Sequence, residues 1–266
     1  MWIAPPTPCG ALGAARARVG RQWGSPPRPR SAPGRGGLGG GRVAPAWAAD
    51  VVSSNIVGYH KMELSSGLSI LGTQFVEVGG DAISIQSMIT DGAAMGDEIL
   101  FFDGTSYETF PFDDVTFNEN WEEAGPGWVD NETGTQAVRA VAPGEGFWYR
   151  NGSEKDITVA GEVPAATSVE VTCGGKLQLV SIPLPISVNL QNIKFEGIAA
   201  TDEVMFFNGT TYDTFPYDEV TFDENWEEAG PGWVDNETGT QAKKVVDLHE
   251  GFWLRAAASK VTVSVE

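Results

Sequence analysis

Between Asp113 and Asp130 the chain gathers Asp113, Asp114, Glu119, Glu122, Glu123 and Asp130, and a second set follows as Asp218, Glu219, Glu224, Glu227, Glu228 and Asp235. Asn118, Asn120 and Asn131 add amide oxygens to the first set. Hard cations such as calcium take about six to eight oxygen ligands, so each stretch holds enough donors for one ion. A bend at Gly125-Pro126-Gly127 is the device expected to gather them. EF-hand spacing is absent, so calcium is read from composition alone, beside the plainer reading that these acids form a solvated loop.

Trp121 and Trp128 flank the same bend, and Trp226 and Trp233 flank its counterpart. An indole among polar side chains is where a sugar ring stacks. It is also where a tryptophan pins a long loop, because burial of so large an apolar surface offsets loop entropy. The strand expected over 145–150 alternates Phe147 and Tyr149 on one face with Trp148 and Arg150 on the other, and Trp253 and Arg255 repeat the pattern. An arginine over an indole is a cation–π pair. The competing reading places Trp148 beneath the acidic loop, with Arg150 neutralising it.

Dedicated catalytic signatures are missing. No G-x-S-x-G elbow occurs, and His60 and His249 fall at unmatched places, so no histidine acid/base site is duplicated. Carboxylates are so numerous that a glycosidase-like pair would arise by chance. The chain is therefore read as non-catalytic, with a glycan-active enzyme as the distant alternative.

The elements that must position these groups are set by a duplication. Residues 119–137 recur letter for letter at 224–242, and Asp97/Asp202, Gly104/Gly209 and Trp148/Trp253 keep the same offset. Each copy is long enough to bury a core. Residues 97–102 lead through Asp103-Gly104 into 105–110, and Asn208-Gly209 takes that turn in the second copy, a strong hairpin signal because both residue types tolerate positive φ. Further strands are expected over 56–63, 68–75, 136–142, 145–150 and 155–160. A single short helix per copy is expected over 82–89 and 187–193. The fold class is all-β: two tandem β-sandwich or partly closed barrel subdomains, 50–163 and 164–266, each with one short helix.

The whole chain carries a net charge of −19, yet residues 1–49 hold seven arginines and no acid, which leaves −26 on the remainder. So acidic a surface repels phosphate backbones and anionic headgroups and argues against nucleic acid as a partner. No apolar run is long enough to cross a bilayer as a helix. Residues 1–49 are Gly-, Pro-, Ala- and Arg-rich and are expected to be disordered. They read either as a mis-assigned start or as a targeting segment ending at the small-x-small site Ala46-Trp47-Ala48. Gly34 to Gly39 fits G-x-G-x-x-G without a flanking strand or helix and is discarded. Cys9 and Cys173 belong to no zinc-like cluster.

The run from Asp97 to Phe110, D-E-x-x-F-F-[DN]-G-T-x-Y-x-T-F, followed by E-G-F-W-x-R at 145–150, resembles uncharacterised exported β-repeat proteins of bacteria. The likeness covers 97–150 and 202–255. It implies an architecture, and it transfers no activity and no site residues. Copy two departs from the pattern at His249, where copy one has Gly144. The expected role is an exported, non-catalytic structural or cell-surface protein, extracellular in location, with glycans or other envelope proteins as partners and calcium as the candidate ion. The alternative is a carbohydrate- or ligand-binding module that uses the tryptophan-bearing loops.

Overall fold

The computed structural model describes residues 56–265. The readings made on residues 1–49 lie outside the described residues. The described residues fall in one compact unit. Among the described residues the fold is nearly all-β, with one four-residue α-helix, Ile85–Met88, and a 3₁₀ turn at the matching place in copy two, Leu190–Asn192.

Each copy is organised on a five-stranded antiparallel sheet. In copy one the order across the sheet is Gly67–Gly72, Gly146–Asn151, Glu98–Phe102, Tyr107–Phe117 and Glu123–Trp128. Copy two repeats it with Leu177–Ser181, Gly251–Arg255, Glu203–Phe207, Tyr212–Phe222 and Glu228–Trp233. The Asp103-Gly104 and Asn208-Gly209 hairpins form as expected, with Gly104 and Gly209 at φ of 94° and 93°. They set Ile99 opposite Phe110 and Val204 opposite Phe215.

Alternation along these strands explains how one sheet serves two cores. Ile99, Phe101, Phe147 and Tyr149 point inward to a cluster built from copy one alone, closed by the antiparallel pair Val57–Leu64 and Lys155–Glu162. Val204, Phe206, Phe252 and Leu254 do the same in copy two beneath Ser168–Thr172, Lys260–Val265 and Ile193–Glu196. The opposite faces meet each other. Ile70 and Trp148 from copy one pack with Leu179 and Trp253 from copy two, flanked by Phe102 and Phe207. Phe102 meets Trp253 edge-on at 5.2 Å, and Trp148 meets Phe207 likewise at 5.0 Å.

The backbone closes this seam with matched bonds. Gly72 N donates to His249 O at 2.8 Å, and Ser181 N donates to Gly144 O at 2.8 Å, each joining one copy to the equivalent turn of the other. The contact therefore has the reciprocal form of an interface between two like subunits. Gly146 and Gly251 permit it, since a Cβ on Gly146 would lie 2.7 Å from Val180 N and one on Gly251 would lie 2.6 Å from Leu71 O.

Several expected elements differ. The strand over 68–75 ends at Gly72, where the regular ladder gives out: Thr73 donates to Glu145 O and accepts from Gly144 N, one residue against two. The strand over 136–142 shrinks to Ala140–Val141, since Gln136 and Ala137 donate instead to Phe117 and Trp128. The helices are shorter than 82–89 and 187–193, each started by a cap: Ser84 Oγ accepts from Gln86 N, and Asn189 Oδ1 from Gln191 N.

Candidate functional site

The acidic stretch is a β-hairpin. Asp113 and Asp114 lie on the strand Tyr107–Phe117, and Gly125-Pro126-Gly127 lies within the edge strand Glu123–Trp128, with Gly125 at a φ of 84°. Proline cannot donate to a ladder, so it is tolerated at an edge, and here the partner strand bulges opposite it. Pairing passes from Asp113↔Gly127 to Thr116↔Gly125, and from Asp218↔Gly232 to Thr221↔Gly230 in copy two. The side chains of Thr116 and Thr221 close the bulges, each donating to a glycine carbonyl at 2.6 Å.

Glutamine from the short helical turn holds the far end. Gln86 Oε1 accepts from Trp128 N at 2.9 Å, while its Nε2 donates to Trp128 O and Ala137 O at 2.7 and 3.0 Å. Gln191 clamps Trp233 and Ala242 in the same way. A Cβ on Gly127 would sit 2.6 Å from Gln86 Oε1, and one on Gly232 would sit 2.5 Å from Gln191 Oε1, so the second glycine of Gly-Pro-Gly makes room for the clamp. Neither glutamine stands out in the sequence. Their signal was the helical turn placed at matching positions of both copies.

The six tryptophans among the described residues divide into three pairs. Trp128 and Trp233 are 1% and 2% exposed, each edge-on to an aromatic neighbour in its own core. Trp148 and Trp253 are buried in the seam, away from the acidic hairpin. Burial thus takes four of the six away from any ligand. Trp121 and Trp226 remain at the hairpin tips, 66% and 65% exposed. Arg150 and Arg255 pair with Glu98 and Glu203, and the cation–π contacts fall elsewhere: Arg139 over Phe101 at 3.9 Å and Lys244 over Phe206 at 4.7 Å.

Each tip is held by a side chain that caps its own turn. Asn118 Oδ1 accepts from Asn120 N and Glu122 N, and Asp223 Oδ1 accepts from Asn225 N and Glu227 N. The Asp223 carboxyl is lowered in pKa, first by the Glu227 N–H. These turns put Trp121 and Trp226 in the left-handed region, at φ of 60° and 61°. The indoles lean on Phe117 and Phe222 at 6.1 Å. Beside Trp226 lies a shallow concavity of about 320 Å³ bordered by Asp235, Thr238, Thr240, Gln241 and Lys243.

The acids proposed for calcium are spread along this hairpin. Asp113 and Asp218 cap the bulges through Val115 N and Val220 N. Asp130 and Asp235 cap the following turns through Glu132 N and Glu237 N. Glu122 accepts from Asn118, and Glu224 pairs with Lys243 at 2.6 Å. Asp114, Glu119, Glu123, Glu219, Glu227 and Glu228 are exposed. Among the described residues no three His, Cys, Asp or Glu side chains converge as a metal group.

Two constellations lie outside the acidic hairpins and carry no sequence motif. Asp97 Oδ2 accepts from Tyr149 Oη at 2.6 Å and Ala94 N at 2.9 Å, and Lys155 Nζ reaches both carboxylate oxygens at 2.5 and 2.8 Å. Burial, then Asp97, pushes the Tyr149 phenol far up. Asp97 and Tyr149 are 2% and 0% exposed, so no substrate reaches them and the group acts as internal bracing. The second constellation joins His60 to His249, whose rings stack across the seam. Comparison with known proteins returns no matching family model, no similar curated protein and no similar solved structure.

Proposed function

We propose that this protein is an exported, non-catalytic binding module that presents one tryptophan-tipped hairpin twice to carbohydrate. The observation that carries the reading is the pair Trp121 and Trp226, exposed large aromatics held at positive φ by tips of the same shape, one capped by Asn118 and the other by Asp223. A non-glycine residue in that conformation costs roughly 1 kcal/mol or more, and such strain gathers where a side chain serves recognition. The exposed indoles offer flat apolar surface, and the Asp, Thr and Gln side chains around Trp226 supply the hydrogen-bonding rim that sugar hydroxyls require. Two weak sites on one body gain from effective concentration when the ligand is polymeric.

The test is glycan-array binding followed by titration with a polymeric hit. Trp121→Ala and Trp226→Ala should each weaken binding, and the double variant should abolish it while melting like the parent. Binding that survives the double substitution would sink the proposal. The runner-up is a structural envelope protein whose acidic hairpins assemble with calcium. Calcium-dependent assembly seen by light scattering, with no glycan bound, would favour it.

A further inference from the structure

At the seam the two copies differ most in one pair of turns. Gly144 and His249 occupy equivalent places in the two turns, at φ of 83° and 59°, and they make the reciprocal backbone bonds to Ser181 and Gly72. Gly144 has no space for a side chain, since a Cβ there would lie 2.7 Å from Val169 Cγ1. The His249 ring instead crosses into copy one. It stacks on His60 at 5.2 Å with 20° between planes, and it lies against Phe75 at 5.2 Å. His60 and His249 are the only histidines of the chain, and each belongs to a different copy.

His249 is 2% exposed and bonded on one side only. Its backbone N–H donates to Gln74 Oε1 at 2.9 Å, and its ring Nδ1 lies 3.3 Å from Gly72 O, which assigns the ring proton to Nδ1. Nε2 is buried without a partner. Six buried side-chain atoms among the described residues lack partners, and four of them, on His60, Gln74, Ser181 and His249, belong to this junction. A cavity of about 10 Å³ bordered by Gly72, Thr73, Gln74, Phe75, Met88 and His249 adjoins the ring. A proton added at Nε2 therefore brings both an unpaired charge and an N–H with no acceptor into the seam, beside a second imidazole.

We propose that His60 and His249 form an acid-released latch that holds the two copies together at neutral pH and loosens the seam when the rings are protonated.

Among the described residues the charged groups around the pair are exposed or engaged elsewhere; on the strand Lys155–Glu162, which pairs with that of His60, Asp156 meets Lys61 and Glu162 accepts from Gly79 N at 2.7 Å. The strand Val57–Leu64 contributes His60, while its Lys61 turns to Asp156 and its Glu63 is exposed. On the segment after Gly72, Gln74 and Phe75 are neutral, and Glu77 accepts from Ser84 N. The His249 turn carries Asp247, which is exposed, and Glu250, which is tied to Lys244. The facing turn carries Glu145, tied to Arg139. Burial lowers His249 to about 4, with the His60 charge acting in the same direction, and burial lowers His60 as well. A histidine depressed in the folded state takes up protons more readily when unfolded. Its contribution is thus intact above about 6.5 and is lost as pH falls from there to about 4.

The experiment follows the intact protein by urea unfolding and amide exchange between pH 7.5 and 4, with exchange corrected for its intrinsic pH dependence. In the parent, the folding equilibrium should fall by about 150-fold more than in His249→Asn by pH 4, the ratio set by a shift from 6.5 to about 4. Asparagine suits that positive φ and carries no titrating ring. Protection at Gly72 and Ser181 should fall before that of the Glu98–Phe102 strand. His60→Gln, at a half-buried position, should give an intermediate profile and serves alone if His249→Asn does not fold. Seam amides that stay protected through the titration, or a parent profile that overlays those of the folded variants, would overturn the latch.

Discussion

The two copies bury the same aspartate and satisfy it by different chemistry. Asp97 is answered by a lysine, a tyrosine and one backbone N–H. Asp202, 3% exposed, is answered by the backbone N–H groups of Ala199 and Ala257. Leucine stands at 254 where copy one has Tyr149, and Lys260 turns outward to Glu170. Both solutions keep the carboxylate paired, and they differ in what a single substitution can undo. Backbone donors cannot be mutated away, whereas a side-chain cation can.

Lys155→Met is therefore the largest perturbation expected of the comparison. It strands a buried carboxylate, and breaking such a pair from one side costs about 3–5 kcal/mol. The equivalent Lys260→Met removes an exposed pair, 61% and 58% open, and should change stability by less than about 1 kcal/mol. Tyr149→Phe falls between them, at about 1.5–3 kcal/mol for a hydrogen bond to a charged group. Urea denaturation of the three variants reads the order directly. Equal losses at Lys155 and Lys260 would mean that the buried pair braces nothing.

The turns at 144 and 249 give the next contrast. Gly144→Ala places a Cβ against Val169 at a backbone angle that favours glycine, and should cost about 1–3 kcal/mol. Gly144→His, the copy-two residue, should cost more, because Val169 fills the space that His60 borders on the other side. If Gly144→His were as stable as the parent, the seam would be more symmetric than its packing implies.

These contrasts also mark where sequence reasoning worked. The 97–110 hairpin was legible because Asp-Gly and Asn-Gly act through local backbone geometry, and the split of Phe147 and Tyr149 from Trp148 followed from strand alternation. Gly125-Pro126-Gly127 misled because its local preference is a turn. It becomes a strand only with a bulge opposite and with Gln86 arriving from 42 residues away. Four tryptophans offered as ligand contacts proved to be packing, since their burial depends on elements distant in sequence. The histidine stack could not be read from either copy alone, for it depends on how the copies meet. Its trace was present all the same, in the places where the two copies disagree.

The smallest expected effect tests whether the hairpin turns, so alike in shape, differ in their response to acid. Asp103 Oδ1 accepts from Thr105 N and Ser106 N at 2.7 Å each and from the Thr105 hydroxyl, and Ser106 Oγ donates to Oδ2. The Ser106 N–H, then the Thr105 hydroxyl, hold this carboxyl well below the usual carboxylate range. Asn208 fills the same role uncharged, accepting from Thr210 N at 3.1 Å and Thr211 N at 2.9 Å. A depressed carboxyl stabilises above the unfolded pKa and loses that contribution as pH falls toward the folded one. Asp103→Asn should thus be slightly less stable than the parent at pH 7, and the gap should narrow as pH drops toward 3. Asn208→Asp should do the reverse, gaining stability at neutral pH and an acid sensitivity that copy two lacks. A gap that stays constant with pH would show that turn shape, and not the charge on its capping residue, sets the strength of both hairpins.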